Sequence, residues 1–269
     1  MSTKVTTVPA GNLVERKPRE RSRIGPRWFP LFLILPSALL ILIVIGFPLL
    51  YSLYVSFTPY ELLKPDSLSF DPSTALRNYE RLLSDATFWK SFGNTIVFLL
   101  VTVNLEYVLA LALSQLLARV TRGQSIMRTL LMIPMMFAPI LVGFQFRWFF
   151  NAEVGLVNNA LRGLGLIHEP IAWLVDEPLG MIAIMAATIW MNLPVTTIIL
   201  LAGTLSLPVE TFEAAEVDGA NGWQKFRHIA FPLLAPFTYI ALTIRSLDVA
   251  RAFDIVRIMT DGGPARRTE

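Results

Sequence analysis

The sequence has no cysteine among its 269 residues and only two histidines, His168 and His228. This excludes a disulfide scaffold, a thiol nucleophile and a Cys-ligated zinc site, and leaves no histidine cluster for another metal. Charge is scarce as well, at 16% Asp, Glu, Lys and Arg. An average soluble domain carries roughly 25%. With 54% hydrophobic residues and a mean hydropathy of +0.56, too little polar surface exists to cover a soluble core. Disorder is excluded for the opposite reason, since a disordered chain is poor in apolar residues and rich in net charge. No Gly-x-x-x-x-Gly-Lys-Ser/Thr phosphate loop occurs, so the chain has no evident way to bind ATP. The net charge of +3 is too small and too scattered to point to nucleic acid. No catalytic triad and no acid–base carboxylate pair has convincing spacing.

The apolar residues fall in long blocks. Residues 28–60 and 178–209 contain no charge, and 93–118 contain one, Glu106. A membrane helix needs roughly 20 mostly apolar residues. The blocks predict an all-α polytopic membrane protein with helices at about 30–57, 93–118, 128–150, 178–205 and 233–259. Barrel strands would alternate polar and apolar, which these blocks do not. Residues 1–27 carry seven basic residues against Glu15 and Glu20 and lack an apolar core, so they read as a disordered basic tail on the cytoplasmic side. Residues 119–128 carry three Arg and no acid, whereas the flanking loops 61–90 and 147–177 hold more acid than base. The positive-inside rule therefore puts the tail and the second loop inside.

Alternation then places loop 206–232 in the cytoplasm, although it holds Lys225 and Arg227 against Glu210, Glu213, Glu216 and Asp218. An acidic cytoplasmic loop suggests work other than fixing topology. Pro208 starts a helix over 209–217, Gly219 and Gly222 mark a turn, and 223–229 allow a second short helix closed by Pro232. Phe212, Ala215, Trp223 and Phe226 can share one apolar face. The result is a helix-turn-helix knob suited to a partner's groove. An amphipathic connector lying on the bilayer is the competing reading, but such helices are usually basic.

Polar residues inside membrane blocks are expensive and face protein or water. Arg245, Asp248, Arg251 and Asp254 recur every three residues. They form either a salt-bridge ladder or part of a wet pathway. Glu106, with Asn104 nearby, either makes a helix–helix contact or lines that pathway. Asn192 beside Pro194 is open to the same two roles. Ala110 and Ser114 have the spacing of close helix packing.

The run Glu213-Ala214-Ala215, Gly219, Ile229 and Pro232 resembles the signature loop of the membrane subunits of ABC importers. With Asp218, Ala220, Trp223 and Phe226 it is similar to the carbohydrate-uptake permeases, the MalF-like or UgpA-like branch. Ser56-Phe57, Asn78-Tyr79, Asn94-Thr95, Phe253-Asp254 and Thr260-Asp261-Gly262-Gly263-Pro264 agree with that branch in order. The resemblance implies a permease subunit for a sugar or sugar derivative, with the loop 206–232 docking on an ATPase through Glu213. Ala214 and Ala215 would permit close approach, and Gly219 the turn. It implies sugar contacts near Arg245, Asp248, Val249 and Ala252. It further implies a second and different permease, two ATPase subunits that hold ATP and Mg, and an extracytoplasmic sugar-binding protein in the cell inner membrane system. No cofactor or metal is expected on this chain. Such permeases have six core helices, so a sequence of five ending at Glu269 is expected to lack the last one through truncation.

Overall fold

The computed structural model describes residues 29–61, 63–176 and 178–261. The expected basic tail 1–27 and the Gly262-Gly263-Pro264 end of the resemblance lie outside these residues. The chain divides into two compact units, Met1–Leu82 and Leu83–Glu269.

In the first unit, α1 (Phe29–Ser56) is a 28-residue apolar helix. It widens to a π segment at Leu42–Gly46, where the Phe47 N–H reaches back to Leu42. Pro48 explains the widening. Proline lacks an N–H and its ring presses on the carbonyl four residues earlier, and a wider turn moves that carbonyl aside. The end of α1 is clasped by the start of α2 (Arg77–Ser84). Asn78 Nδ2 donates to the carbonyls of Ser56 and Thr58 at 3.0 and 2.9 Å, and the hydroxyls of Ser56 and Tyr79 meet at 2.8 Å. Asn78 thus satisfies carbonyls that a helix end leaves open. Two of the fragments that carry the family resemblance, Ser56-Phe57 and Asn78-Tyr79, are this clasp.

The second unit is built around α7 (Leu179–Leu205), whose residues face protein on nearly every side. α3 (Ala86–Arg119) packs along it. Asp85 caps α3 by accepting from the Thr87 N–H at 2.8 Å. Its buried stripe of Phe98, Thr102, Glu106, Ala110, Ser114 and Leu117 follows the helical repeat. α4 (Gln124–Met132), α5 (Pro139–Phe149) and α6 (Leu156–Gly163) follow, then α7 and α8 (Val209–Val217). α9 (Gly222–Leu233) and α10 (Ala235–Ala250) meet at a 64° bend. α11 (Asp254–Thr260) packs against α5. The core joins Phe98 and Val103 of α3, Val142 of α5, Ala183, Ile184, Met185 and Ala187 of α7, Val249 of α10, and Ile255 and Met259 of α11.

Three described helices, α1, α3 and α7, are long and apolar enough to cross a membrane, and the bent pair α9–α10 makes a fourth if it is one span. The helix expected over 128–150 is not continuous. Pro134 opens a short 3-10 turn, Phe137 is extended, and Pro139 starts a new helix. Proline at a first helical position and an extended residue before it are what backbone sterics favour. The helix expected over 233–259 also breaks, between Ala250 and Asp254. Pro232 does not close the hairpin's second helix as expected. α9 runs through it, with a π segment at Phe226–Ala230 giving the same relief as before Pro48.

Candidate functional site

The acidic loop is a helical hairpin. α8 ends with Gly219 at φ +77, Gly219 N–H donating to Glu216 and Ala220 N–H to Ala215. This crossed pair satisfies the last carbonyls of the helix, and a side chain at that φ would be strained. α9 begins with a reciprocal cap between Asn221 and Gln224, at 2.8 and 2.9 Å. Lys225 Nζ closes the hairpin on Glu216 at 2.6 Å. That hydrogen bond and charge hold the Glu216 carboxyl below the usual glutamate range. Glu213, Ala214 and Asp218 are exposed and Ala215 is half-buried. Trp223 stacks on Phe226 at 5.6 Å between ring centres. With Phe212 they line a hollow of about 770 Å³, whose other side includes Gln115 and Arg119 of α3. Three of the four residues expected on one apolar face, Phe212, Trp223 and Phe226, thus meet, Ala215 does not line the hollow, and Trp223 remains 65% exposed.

The membrane polar residues form a second constellation. Glu106 and Arg245 meet as a bidentate pair, Nε to Oε1 at 2.8 Å and Nη2 to Oε2 at 2.9 Å. Their side chains are 1% and 3% exposed. Thr196 of α7 donates to Glu106 Oε1 at 2.6 Å, so one cluster ties α3, α7 and α10 together. Arg245 Nη1 continues to Asp248 Oδ2, and Asp248 Oδ1 accepts from Arg251 Nη2, each at 3.3 Å. As placed, Glu106 and Arg245 spend their polar atoms on this network, while Asp248 is half-exposed. Asn104 turns away and bonds its own helix at Leu100.

A cleft of about 240 Å³ opens beside α10, lined by Asn192, Arg245, Asp248, Val249 and Ala252, with Thr188 and Asp254. The structure thus brings together all the candidate pathway residues except Glu106, which stands behind Arg245. Asn192 donates to the Thr188 carbonyl at 2.9 Å. Val249 and Ala252 also line a hollow of about 250 Å³ with Asn94, Thr95 and Phe98, so the end of α10 is a wall between two spaces.

Sequence reasoning missed Thr196, the third member of the buried cluster, whose only sign was a Thr-Thr pair in an apolar run. It also missed Asn158. Fully buried in segment 151–176, Asn158 donates to the carbonyls of Ala152 and Ile171, both at 2.9 Å, and accepts from Trp173 Nε1 at 2.8 Å. It pins that segment beside a hollow of about 370 Å³ lined by Arg147 and Trp173.

The chain is similar to known proteins along most of its length. Residues 107–268 match the family described as binding-protein-dependent transport system inner membrane component. The chain is 35% identical over 263 residues to the probable ABC transporter permease protein y4oQ of Sinorhizobium fredii, covering 97% of this chain and 82% of that protein. It is 34% identical to the trehalose/maltose transport system permease protein MalF of Thermococcus litoralis, covering 88% of this chain and 78% of that one. Its fold is similar to a chain of a bacterial ABC transporter involved in the import of the acidic polysaccharide alginate. The TM-score is 0.73 at 20% identity, over 90% of this chain and 79% of that one. The chain therefore belongs to the family of binding-protein-dependent transport system inner membrane components.

Proposed function

We propose that the chain is the pathway-forming permease of an ATP-driven importer for a sugar or sugar derivative, and that the hairpin α8–α9 docks in a cleft of an ATPase subunit. The observation that carries this reading is the hairpin itself. It is braced internally by its two caps and the Lys225–Glu216 pair, yet leaves Glu213, Ala214 and Asp218 in solvent. Such a rigid, acid-tipped projection fits a groove on a soluble partner. Glu213 supplies the charged contact, Ala214 and Ala215 allow close approach, and Trp223 and Phe226 stiffen the base. ATP and Mg belong to two such ATPase subunits, whose closure would pull the hairpin and rock the attached helices between two states.

The solute passes along α10, where Asp248, Asn192, Val249 and Ala252 line the cleft. A sugar as cargo is supported by the trehalose/maltose permease among the relatives. The remaining partners are a second, different permease and an extracytoplasmic sugar-binding protein, in the inner membrane with the N-terminus cytoplasmic. The test is reconstitution of the whole importer in proteoliposomes. Glu213→Ala combined with Gly219→Val is expected to abolish co-purification of the ATPase and solute uptake. Assembly and uptake that survive both changes would show that the hairpin is not the coupling element.

A further inference from the structure

We propose that the cleft beside α10 accepts an uncharged, hydroxyl-rich solute and turns away one that carries a phosphate or carboxylate. This rests on the cleft being the solute pathway, and it narrows the class of solute. Two guanidiniums stand at the cleft, Arg245 and Arg251, and on their own they would recruit an anion bidentately. Arg245 is fully engaged, and Arg251, 76% exposed, is engaged in part. Arg245 gives Nε and Nη2 to the two oxygens of Glu106 and Nη1 to Asp248, with its side chain 3% exposed. Arg251 gives Nη2 to the other oxygen of Asp248 and Nε to the Leu247 carbonyl. Asp254, exposed on the same cleft, adds a further carboxylate.

Glu106 behind the cleft and Asp248 and Asp254 on it stand against Arg245 and Arg251, a formal excess of one negative charge. An arriving phosphate finds Arg245 spent on Glu106 and Asp248, and at Arg251 it must share the guanidinium with Asp248, with Asp254 on the same cleft. Like charges set side by side are unfavourable, and most so next to the buried Arg245–Glu106 pair. A sugar hydroxyl meets no such obstacle, because it donates to Asp248 without disturbing either arginine. A neutral polar group lies just beneath the cleft wall. Thr188 is 3% exposed, and its hydroxyl makes no hydrogen bond among the described residues. Burying a hydroxyl without a partner is costly, and a small shift of the wall would let a solute hydroxyl supply one. Met191 and Phe253 supply apolar wall for the C–H faces of a sugar ring.

The test holds the permease–ATPase assembly in nanodiscs without the binding protein. Saturation-transfer NMR then compares trehalose and maltose, each beside its own 6-phosphate. The neutral sugar is expected to show binding and its phosphate to bind at least about tenfold more weakly. Asp248→Asn and Asp254→Asn change exposed side chains, so they test charge without emptying a core. Each should narrow that gap, and Arg251→Gln should widen it. A 6-phosphate that binds wild type as well as its parent sugar overturns the selectivity and leaves the pathway standing. A gap that no charge variant moves also overturns it. No signal from any of the probes removes the pathway reading and this inference together.

Discussion

Glu106→Gln is the sharpest test of the packing argument. The substitution keeps the shape of the side chain and removes its charge, leaving Arg245, 3% exposed, with only the longer 3.3 Å contact to Asp248. Two independent magnitudes apply. Removing one partner of a buried pair costs about 3–5 kcal/mol. A lone arginine at the centre of a bilayer costs about 2.5–3.5 kcal/mol on insertion scales. They overlap at about 3 kcal/mol, an upper figure because glutamine still accepts one hydrogen bond and Asp248 still partners Arg245. Each kcal/mol lowers the melting midpoint by roughly 2–4 °C in a chain of this size, so the variant should melt lower by up to roughly 6–12 °C. The assay is thermal melting of the detergent-solubilised importer, followed by the monodisperse fraction on gel filtration. The paired variant Glu106→Leu with Arg245→Met carries no stranded charge and should regain most of the loss. A drop under about 3 °C, or a paired variant as unstable as the two single losses added, would show that the residues are not energetically coupled.

Three further outcomes follow from local geometry. A Cβ at Gly203 would lie 2.6 Å from Phe237 Cγ and 2.9 Å from Leu234 Cδ2. Gly203→Ala should therefore destabilise by about 1–3 kcal/mol in the same melt, by forcing the α9–α10 bend away from α7. Asn158→Leu strands the Trp173 N–H and two carbonyls, and limited proteolysis should cut segment 151–176 several times faster than in wild type. The lowered Glu216 pKa adds stability that is fully present above the usual glutamate value and lost as pH falls through the depressed one. Protease sensitivity of the α8–α9 hairpin should thus stay flat from neutral to mildly acidic pH and rise only below it, and Lys225→Met should remove that late rise.

The hairpin was the most legible part of the sequence, because its signals are local. Pro208 and Gly219 each fix a backbone event within a few residues, whereas the Asn221–Gln224 cap went unread. Long uncharged runs made α1, α3 and α7 legible for a similar reason, since hydropathy adds up over the length of a span. The break at 133–138 was not legible, because apolar content is the same in a straight helix and in two short ones. Only Pro134 and Pro139 mark it, and α7 runs through Pro194 without stopping. The break at Arg251–Phe253 has no proline or glycine at all. The Glu106–Arg245 pair joins positions 139 apart, and a single sequence shows charges without showing which faces which. Asn158 lies in a polar segment where any asparagine reads as solvated, so its burial had no signature.

The two π segments, Leu42–Gly46 and Phe226–Ala230, each stand directly before a Phe-Pro pair, Phe47-Pro48 and Phe231-Pro232. Each takes in one residue more than an α turn would. Because successive residues of an α-helix are about 100° apart, that extra residue re-phases everything beyond it. Reach and facing are thereby set separately. Deleting one residue from 42–46 would shorten α1 by only about 1.5 Å, yet swing the ten residues of Phe47–Ser56 about a quarter-turn around the axis. Insertions and deletions at these two places would therefore be read by the molecule as rotations rather than as changes of length.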